Sequence, residues 1–190
     1  LVTHLNFHGH LVFSPHATML DSYVAIPHYS CNYDLKYVKP WEEREYEFSF
    51  IGSFLTHPVR KRLYEYFKNK KNCLVVDTGS WHFEGSEDKQ KENRQRYIEI
   101  LGNTKYSLCP RGTGPSTIRI WEAMAMGSCP VIFSDLLKMP LEFFIKKPLS
   151  LKLPEKYDII DVDNKPYVNE EYWDYFSNEN LYKSVMINLL

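Results

Sequence analysis

Residues 107–135, SLCPRGTGPSTIRIWEAMAMGSCPVIFSD, combine a glycine loop with two charges in an otherwise apolar segment. Gly112 and Gly114 follow a short apolar strand, and a backbone without Cβ atoms lets a ligand approach closely. Beyond this loop, Arg119 and Glu122 lie in a predicted helix whose other residues are almost all apolar. Because a buried charge without a partner is costly, both charges need an explanation.

Two interpretations account for these charges. Ser116, Arg119 and Glu122 follow one another at three-residue intervals, which places them on one face of the predicted helix. Arg119 and Glu122 could form a structural ion pair across one turn. Alternatively, the face lines a ligand groove, in which the arginine meets a phosphate and the carboxylate accepts two hydroxyls, as from a ribose. The adjacent glycine loop, Arg111 and the hydroxyls of Ser116 and Thr117 favour the ligand groove.

A second cationic motif follows another strand exit, at Gly52. The next helix is predicted to begin at Pro58, and its first turns contain Arg60, Lys61 and Arg62. A basic side chain at a helix N-terminus is typical of an anion site, so Arg60 is a candidate phosphate contact. The alternative of a solvated basic helix face stays open for Arg60, and it is the preferred interpretation of Lys61 and Arg62.

The elements that must position these residues alternate along the chain. Helices are predicted over 58–69, 89–104 and 115–127, between apolar strands over 46–54, 72–79, 105–110 and 129–135. Continuous apolar strands that alternate with helices of this length indicate an α/β fold, with a Rossmann-like parallel sheet and flanking helices. Ligands of such sheets bind beyond the carboxyl ends of the strands, where both motifs lie.

Three parts of the chain differ in composition. Residues 1–45 contain five of the seven histidines. We expect these residues to be the remnant of another domain together with the segment that connects it to the next domain. Residues 46–150 are predicted to form the Rossmann-like domain, and 151–190 the closing helices. The first residue is Leu rather than Met, which indicates a fragment or a trimmed chain.

Composition and missing motifs argue against several classes of protein. A formal net charge of −1 argues against nucleic acid as a partner, and no apolar run is long enough for a membrane segment. The four cysteines form no C-x-x-C pair, which argues against zinc. Neither G-x-G-x-x-G nor G-x-x-x-x-G-K-[ST] occurs, which argues against a nicotinamide dehydrogenase and a P-loop ATPase. The triplet Asp161-Val162-Asp163 could hold a divalent metal, but so short a motif is common by chance, and we predict no metal.

Residues 94–142 resemble the core of the exostosin-type glycosyltransferases, glycosyltransferase family 47. The similarity lies in Tyr97, in the strand and loop over 106–112, in T-x-R-x-x-E-A over 117–123 and in G-x-x-P-V-I-x-S-D over 127–135. FIGSFLTHPVRKRLYE, with Arg60, and DSYVAIPHY are similar to two upstream motifs of this family. The resemblance covers about residues 20–145.

The resemblance implies a GT-B glycosyltransferase, with two Rossmann-like domains of which this chain supplies the C-terminal, donor-binding one. It also implies inverting transfer from a UDP-sugar to the hydroxyl of a glycan or glycoprotein acceptor, without a metal or other cofactor. By the same resemblance Arg119 would act in catalysis, and the general base would come from the acceptor side. The candidates for that base are His8, His10 and Asp21. The donor nucleotide would contact Arg60, Arg111, Gly112, Gly114, Ser116, Thr117, Arg119 and Glu122.

Two questions stay open at this stage. The chain could be a transferase, or it could be a non-catalytic UDP-binding partner subunit of an active one. Its location could be the Golgi lumen, if it derives from a trimmed cellular enzyme. A compact viral or algal type of xylosyltransferase would instead be cytoplasmic.

Overall fold

Seven strands and three α-helices make up the computed structural model, which describes residues 12–79, 85–140 and 151–156. The helices are α1 (Pro58–Phe67), α2 (Glu87–Gly102) and α3 (Arg119–Ala125). The strands are β1 (Phe13–Ser14), β2 (Val24–Ala25), β3 (Tyr46–Gly52), β4 (Cys73–Asp77), β5 (Thr104–Pro110), β6 (Cys129–Phe133) and β7 (Leu151–Leu153). Short 3-10 turns cover Leu35–Tyr37, Trp41–Glu43 and Phe54–Thr56.

Five parallel strands form the central sheet in the spatial order β4-β3-β5-β6-β7. The chain adds β4 on one side of β3 and then crosses back to place β5 on the other side. The direction of sheet growth therefore reverses between β3 and β5. In open α/β sheets such a reversal leaves a crevice at the carboxyl ends of the two strands, where ligands bind. The predicted α/β class, with a Rossmann-like parallel sheet, is confirmed.

Alternating side chains of the strands supply the core on both faces of the sheet. On β6, Val131 and Phe133 pack with residues of α1, whereas Ile132 between them packs with residues of α2 and α3. Apolar residues on both faces explain why the strands are continuous apolar runs rather than alternating ones. Helices consequently cover both faces of the sheet. The polar motifs lie in the loops that follow the ends of the strands.

The start of α3 differs from the prediction. The helix begins at Arg119, so Pro115, Ser116 and Thr117 belong to the loop that precedes it. Ser116 is only 6% exposed, so this loop segment packs against the rest of the described protein. The end of the helix is as predicted, because Gly127 has a φ of 62° and terminates it in the left-handed conformation. Six of the seven helical residues are buried, and the carboxylate residue Glu122 is one of them.

Strand β7 was not predicted. Leu151–Leu153 pairs in parallel with β6, in the register of Val131 with Leu151, whereas closing helices were predicted over residues 151–190. Three residues are too few to show a strand pattern. The helices predicted beyond this strand fall on residues 157–190, which lie outside the described residues.

The segment before β3 is attached to the amino-terminal edge of the sheet through Arg44. This side chain is 7% exposed, and four of its hydrogen bonds end on backbone carbonyls. They run from Nε to Lys39 (3.0 Å), from Nη1 to Thr104 (2.8 Å) and Gly127 (2.7 Å), and from Nη2 to Met126 (3.2 Å). Burial lowers the pKa of Arg44 to about 10, so it stays charged at neutral pH. Arg44 therefore joins residues 39–44 to the starts of β5 and β6.

Candidate functional site

Two arginines lie against one aromatic ring at the crevice between β3 and β5. The guanidinium carbon of Arg119 lies 4.4 Å from the centroid of the Phe50 ring, and that of Arg60 lies 5.5 Å from it. Within the described part of the chain, neither arginine forms an ion pair with a carboxylate. Burial, and then the charge of Arg119, lower the pKa of Arg60 to about 10, which still leaves it cationic at neutral pH. The pair presents positive charge that is suited to an anion.

Arg60 also holds the two strand exits together. Its Nη1 donates to the carbonyl of Ser53 at 2.8 Å, its Nε to that of Arg111 at 3.0 Å and its Nη2 to that of Pro110 at 3.5 Å. A guanidinium has five N–H donors, so three are used on described residues. Arg60 therefore fixes the width of the crevice and adds charge to it.

Arg119 forms fewer hydrogen bonds with the described residues than Arg60 does. Its Nη2 donates to the carbonyl of Ile51, and its guanidinium carbon lies 5.2 Å from the centroid of the Tyr97 ring. The other four of its N–H donors have no partner among the described residues. Arg119, held between the rings of Phe50 and Tyr97, is the cation of this site that is best placed to receive a ligand.

Arg111 differs from these two because a carboxylate neutralises it. Its Nη1 lies 3.3 Å from Oε1 of Glu155, just after β7. The same Oε1 accepts from the backbone N–H of Asp135 at 3.1 Å, which joins the exits of β6 and β7. Nε2 of His57 lies 3.8 Å from the other carboxylate oxygen, and burial, followed by the charge of Arg111, lowers the pKa of His57. Arg111 is thus at the predicted edge of the sheet but already has an anionic partner.

The two glycines of the loop make room for side chains. A Cβ on Gly112 would lie 3.2 Å from Nη2 of Arg60, and one on Gly114 would lie 3.0 Å from Nδ1 of His16. Neither glycine has a positive φ, so backbone freedom is not what requires them. Their lack of a side chain allows Arg60 and His16 to pack directly against the loop.

Three buried hydroxyls lie near the crevice without a hydrogen-bond partner among the described residues. They are Oγ of Ser116, Oγ1 of Thr56 and Oγ of Ser134, which follow β5, β3 and β6 respectively. Thr56 Oγ1 lies 3.7 Å from the Cβ position of Gly112, and Ser134 is 1% exposed. A buried hydroxyl without a partner is unfavourable, and a bound ligand that accepts from it would remove that cost. Thr117, next to Ser116, is partly buried.

Glu122 is held by two side chains other than Arg119. The residue is 2% exposed; its Oε1 accepts from Nδ2 of Asn32 and its Oε2 from the hydroxyl of Tyr97, each at 2.7 Å. Burial raises the pKa of Glu122, although Tyr97, Arg119 and Asn32 act in the opposite direction. Arg119 and Glu122 do not form the structural ion pair that was one of the two interpretations. Each carboxylate oxygen keeps a further lone pair that can accept from a ligand.

Asp21 stabilises its own turn. Its Oδ2 accepts from both the backbone N–H and the hydroxyl of Thr18 at 2.8 Å, and its Oδ1 accepts from the N–H of Tyr23 at 3.0 Å. Burial acts to raise the pKa of Asp21, but the hydrogen bonds from Thr18 and Tyr23 outweigh it and lower the pKa. A carboxylate stabilised in this way is a weak proton acceptor. The base role of Asp21 stays a prediction, and His8 and His10 lie outside the described residues.

Sequence reasoning missed five residues that the structure brings to this region: His16, Asn32, Thr56, Tyr97 as a partner of Glu122, and Ser134. Thr56 and Ser134 each follow a strand exit, where polar side chains could have been collected by the same rule as Arg60. Asn32 lies 90 positions from Glu122, and the sequence contains no signal for that contact.

The described residues contain no group of three or more His, Cys, Asp or Glu side chains placed to hold a metal ion. The absence of a metal stays a prediction, because Asp161 and Asp163 lie outside those residues. None of the helices described in the structure has both the length and the apolar character that crossing a bilayer requires.

Comparison with known proteins shows the family to which the chain belongs. Residues 28–151 match the family described as "RXYLT1 C-terminal domain". "Probable glucuronoxylan glucuronosyltransferase IRX7" of Arabidopsis thaliana is 29% identical over 141 residues, which cover 70% of this chain and 30% of the relative. "Ribitol-5-phosphate xylosyltransferase 1" of Homo sapiens is 30% identical over 94 residues, 48% of this chain and 20% of the relative.

A third relative, "Exostosin-1 homolog" of Caenorhabditis elegans, is 27% identical over 109 residues, which cover 52% of this chain and 28% of the relative. The chain spans less than a third of the length of these curated relatives. The family match covers more than half of the chain and includes β3 and β5, whose ends form the crevice, together with α3 and β6. The chain therefore belongs to the RXYLT1 C-terminal domain family, within the exostosin-type glycosyltransferases of glycosyltransferase family 47.

Proposed function

We propose that the chain is the donor-binding part of an inverting glycosyltransferase that transfers a sugar from a UDP-sugar to a glycan hydroxyl. The observation that carries this proposal is the pair of cations, Arg60 and Arg119, that both lie against the ring of Phe50 at the crevice. A diphosphate supplies the matching negative charge and accepts hydrogen bonds from several donors at once. The unpartnered hydroxyls of Ser116 and Thr56 lie beside the same loops and would donate to it.

Glu122 is the proposed contact for the ribose of the donor. It lies one turn along α3 from Arg119, so a phosphate at Arg119 would bring the adjoining ribose near it. Because Asn32 and Tyr97 already donate to Glu122, ribose hydroxyls would use the remaining lone pairs or replace the amide of Asn32. UDP binding is therefore expected to change the surroundings of Asn32.

The proposed reaction is a single displacement. A base takes the proton of the acceptor hydroxyl, and the hydroxyl oxygen attacks C1 of an α-linked sugar. The bond between C1 and the phosphate oxygen breaks, and UDP leaves with the electron pair. Arg119 and Arg60 would stabilise the charge that grows on the departing diphosphate, which is a large contribution in enzymes of many kinds. Activity is predicted to be unchanged by a chelator.

The relatives suggest which donor sugars to try first. One is named as a xylosyltransferase acting on ribitol 5-phosphate, and another as a glucuronosyltransferase of glucuronoxylan. Xylose and glucuronic acid differ in the carboxylate at C5 of the sugar ring, which only a cationic or hydrogen-bonding sugar pocket would favour. Because the matching family bears the xylosyltransferase's name, we propose UDP-xylose as the first donor and UDP-glucuronic acid as the second.

Calorimetric titration of the chain with UDP, followed by assays of UDP release from both donors, tests the proposal. We expect UDP to bind, Arg119→Ala to weaken binding by at least about tenfold, and Lys61→Ala to leave it unchanged. Lys61 is a matched control, because it neighbours Arg60 on α1 but is exposed. A chain that binds no UDP, or an Arg119→Ala variant that binds it like the wild type, would contradict the proposal. UDP binding without release from any donor would favour the non-catalytic partner subunit.

A further inference from the structure

A histidine that the donor site does not use, His16, lies against the glycine loop and packs against a second one, His28. His16 is an exposed residue, and the Nδ1 and Cε1 atoms of its ring lie 3.0 and 3.2 Å from the Cβ position of Gly114. Its ring packs edge-on against that of His28, with 4.8 Å between the centroids and an interplanar angle of 78°. The backbone N–H of His16 donates to Oγ of Ser14 at 3.1 Å. His16 is thus held between the end of β1 and the loop, partly buried there and partly exposed to solvent.

The position of His16 along the loop is informative because Arg60 packs against the same loop two residues earlier. Gly112 faces Arg60 and Gly114 faces His16, and two residues span at most about 7 Å. In a sugar nucleotide, a single bridging oxygen separates the anomeric carbon from the phosphate. If the sugar of the donor lies toward Gly114, a diphosphate held by Arg60 would place the anomeric carbon beside the stretch of loop that His16 contacts.

The charge state of the pair suits a proton acceptor. Burial lowers the pKa of His16, so the imidazole is neutral at physiological pH and has a free lone pair. Burial, and then His16, lower the pKa of His28 to about 4, so His28 does not compete for the proton near neutral pH. His28 is the titratable group that the described residues place against His16.

We propose that His16 accepts the proton of the attacking hydroxyl, and that His28 is a positioning residue which holds its ring against the loop. The inference rests on the proposed function. In the step, the hydroxyl proton moves to the imidazole while the hydroxyl oxygen bonds to C1. The bond from C1 to the phosphate oxygen breaks with its electrons on UDP, and the imidazolium then releases its proton to water. The step needs no further reactant.

The first experiment follows the histidine rings by NMR in the 15N-histidine-labelled chain as UDP is added. His16→Gln identifies the His16 signals by their loss. We expect UDP to shift those signals and to raise the pKa of His16, because the diphosphate brings negative charge close to it. If UDP binds and the His16 signals and their titration stay as in the free chain, the placement of His16 beside the donor is wrong.

The second experiment compares the rate of UDP release from UDP-xylose, with water or ribitol 5-phosphate as acceptor. His16→Gln should lower the rate by about 100-fold or more, remove the acidic limb of the pH–rate profile and leave the Kd for UDP within twofold. His28→Gln should lower the rate by a smaller factor than His16→Gln does. It should also change the pH at which the acidic limb of the profile falls. Met19→Gln, an exposed position on the same turn, should match the wild type.

The outcomes separate the two proposals. A wild-type chain that does not bind UDP overturns the proposed function. A wild type that binds UDP, with a His16→Gln variant that turns over at the same rate, overturns only the role of His16. Binding of UDP without any turnover by the wild type also excludes His16 as a working proton acceptor in this chain.

Discussion

The amino-terminal and the carboxyl-terminal ends of the parallel strands form two opposite edges of the sheet. Each of these edges has a buried or half-buried arginine, but the two arginines form different hydrogen bonds. At the amino-terminal edge, Arg44 donates four hydrogen bonds to carbonyls of four different residues. At the carboxyl edge, Arg119 donates one to a described residue, and its guanidinium otherwise lies against the rings of Phe50 and Tyr97. With five N–H donors on each, the first is nearly saturated by the fold and the second is not.

This difference separates a structural cation from a binding one. An arginine whose donors end on carbonyls fixes chain segments relative to one another and has little left for a ligand. An arginine that rests on aromatic faces is attracted to the rings and still keeps its donors and charge available. Arg60 combines the two roles, because it bonds to the exits of β3 and β5 and still lacks a carboxylate partner among the described residues.

The largest expected effect of a substitution is on catalysis, at Arg119. Arg119→Ala should lower the rate of UDP release from UDP-xylose by about 1,000-fold, since the charge on departing UDP loses its nearest free cation. The melting temperature should change by less than about 4 °C, because one hydrogen bond to the described fold is lost. An Arg119→Ala variant with near-normal turnover, or one that fails to fold, would contradict the distinction between a binding role for Arg119 and a structural role for Arg44.

Arg44→Ala should show the opposite pattern, with the effect on stability. Removal of the guanidinium leaves four carbonyls without their donor, so the free energy of unfolding should fall by about 3 kcal/mol. Urea unfolding followed by circular dichroism measures this change. The affinity of the remaining folded protein for UDP should stay within twofold of the wild type. Loss of UDP binding while the fold persists would show that Arg44 also acts on the site.

Glu122→Gln tests the proposed ribose contact at the carboxyl edge. The amide keeps the shape of the side chain but weakens its acceptance of hydroxyl hydrogen bonds, so UDP should bind about tenfold less tightly. Inorganic pyrophosphate, which has no ribose, should bind equally to both proteins. Calorimetry with the two ligands gives the comparison. Equal losses for both ligands would assign Glu122 to supporting Arg119 rather than to the ribose.

The smallest expected effect is at Arg111, the cation of the carboxyl edge that already has a carboxylate. Glu155→Gln removes the negative charge 3.3 Å from Nη1 of Arg111 while keeping an oxygen that can accept from Asp135. UDP affinity should rise about twofold to threefold, because partly exposed ion pairs are worth only a little. The gain should vanish at high salt. An unchanged affinity at low salt would place Arg111 outside the electrostatic reach of the nucleotide.

The α/β class and the approximate elements could be predicted because they depend on local patterns. Apolar runs mark β3, β5 and β6, and Pro58 marks the start of α1. The spatial order of the strands could not be predicted, because pairing of β3 with β5 joins segments almost 60 residues apart. The start of α3 was placed too early, since Pro115 is equally compatible with a loop.

The candidate site was predictable where one short segment supplies it. Arg119, Glu122 and the glycines are close in sequence, and the strand exits explain why Arg60 joins them. The partners of these residues were not predictable: Asn32 reaches Glu122, and His16 reaches Gly114, only through the folding of distant segments. The charged residues could therefore be identified from the sequence. Which of them already have a partner within the fold could not be predicted.

The attachment of residues before β3 has a consequence for any attempt to prepare a shorter protein. A variant that began at residue 46 would contain the whole central sheet but would lack Asn32 and Arg44. Glu122 would lose one of its two donors, and the carbonyls at the starts of β5 and β6 would lose theirs. The smallest portion that preserves the geometry of the crevice thus begins well before the first strand of the sheet, in keeping with a family match that starts at residue 28.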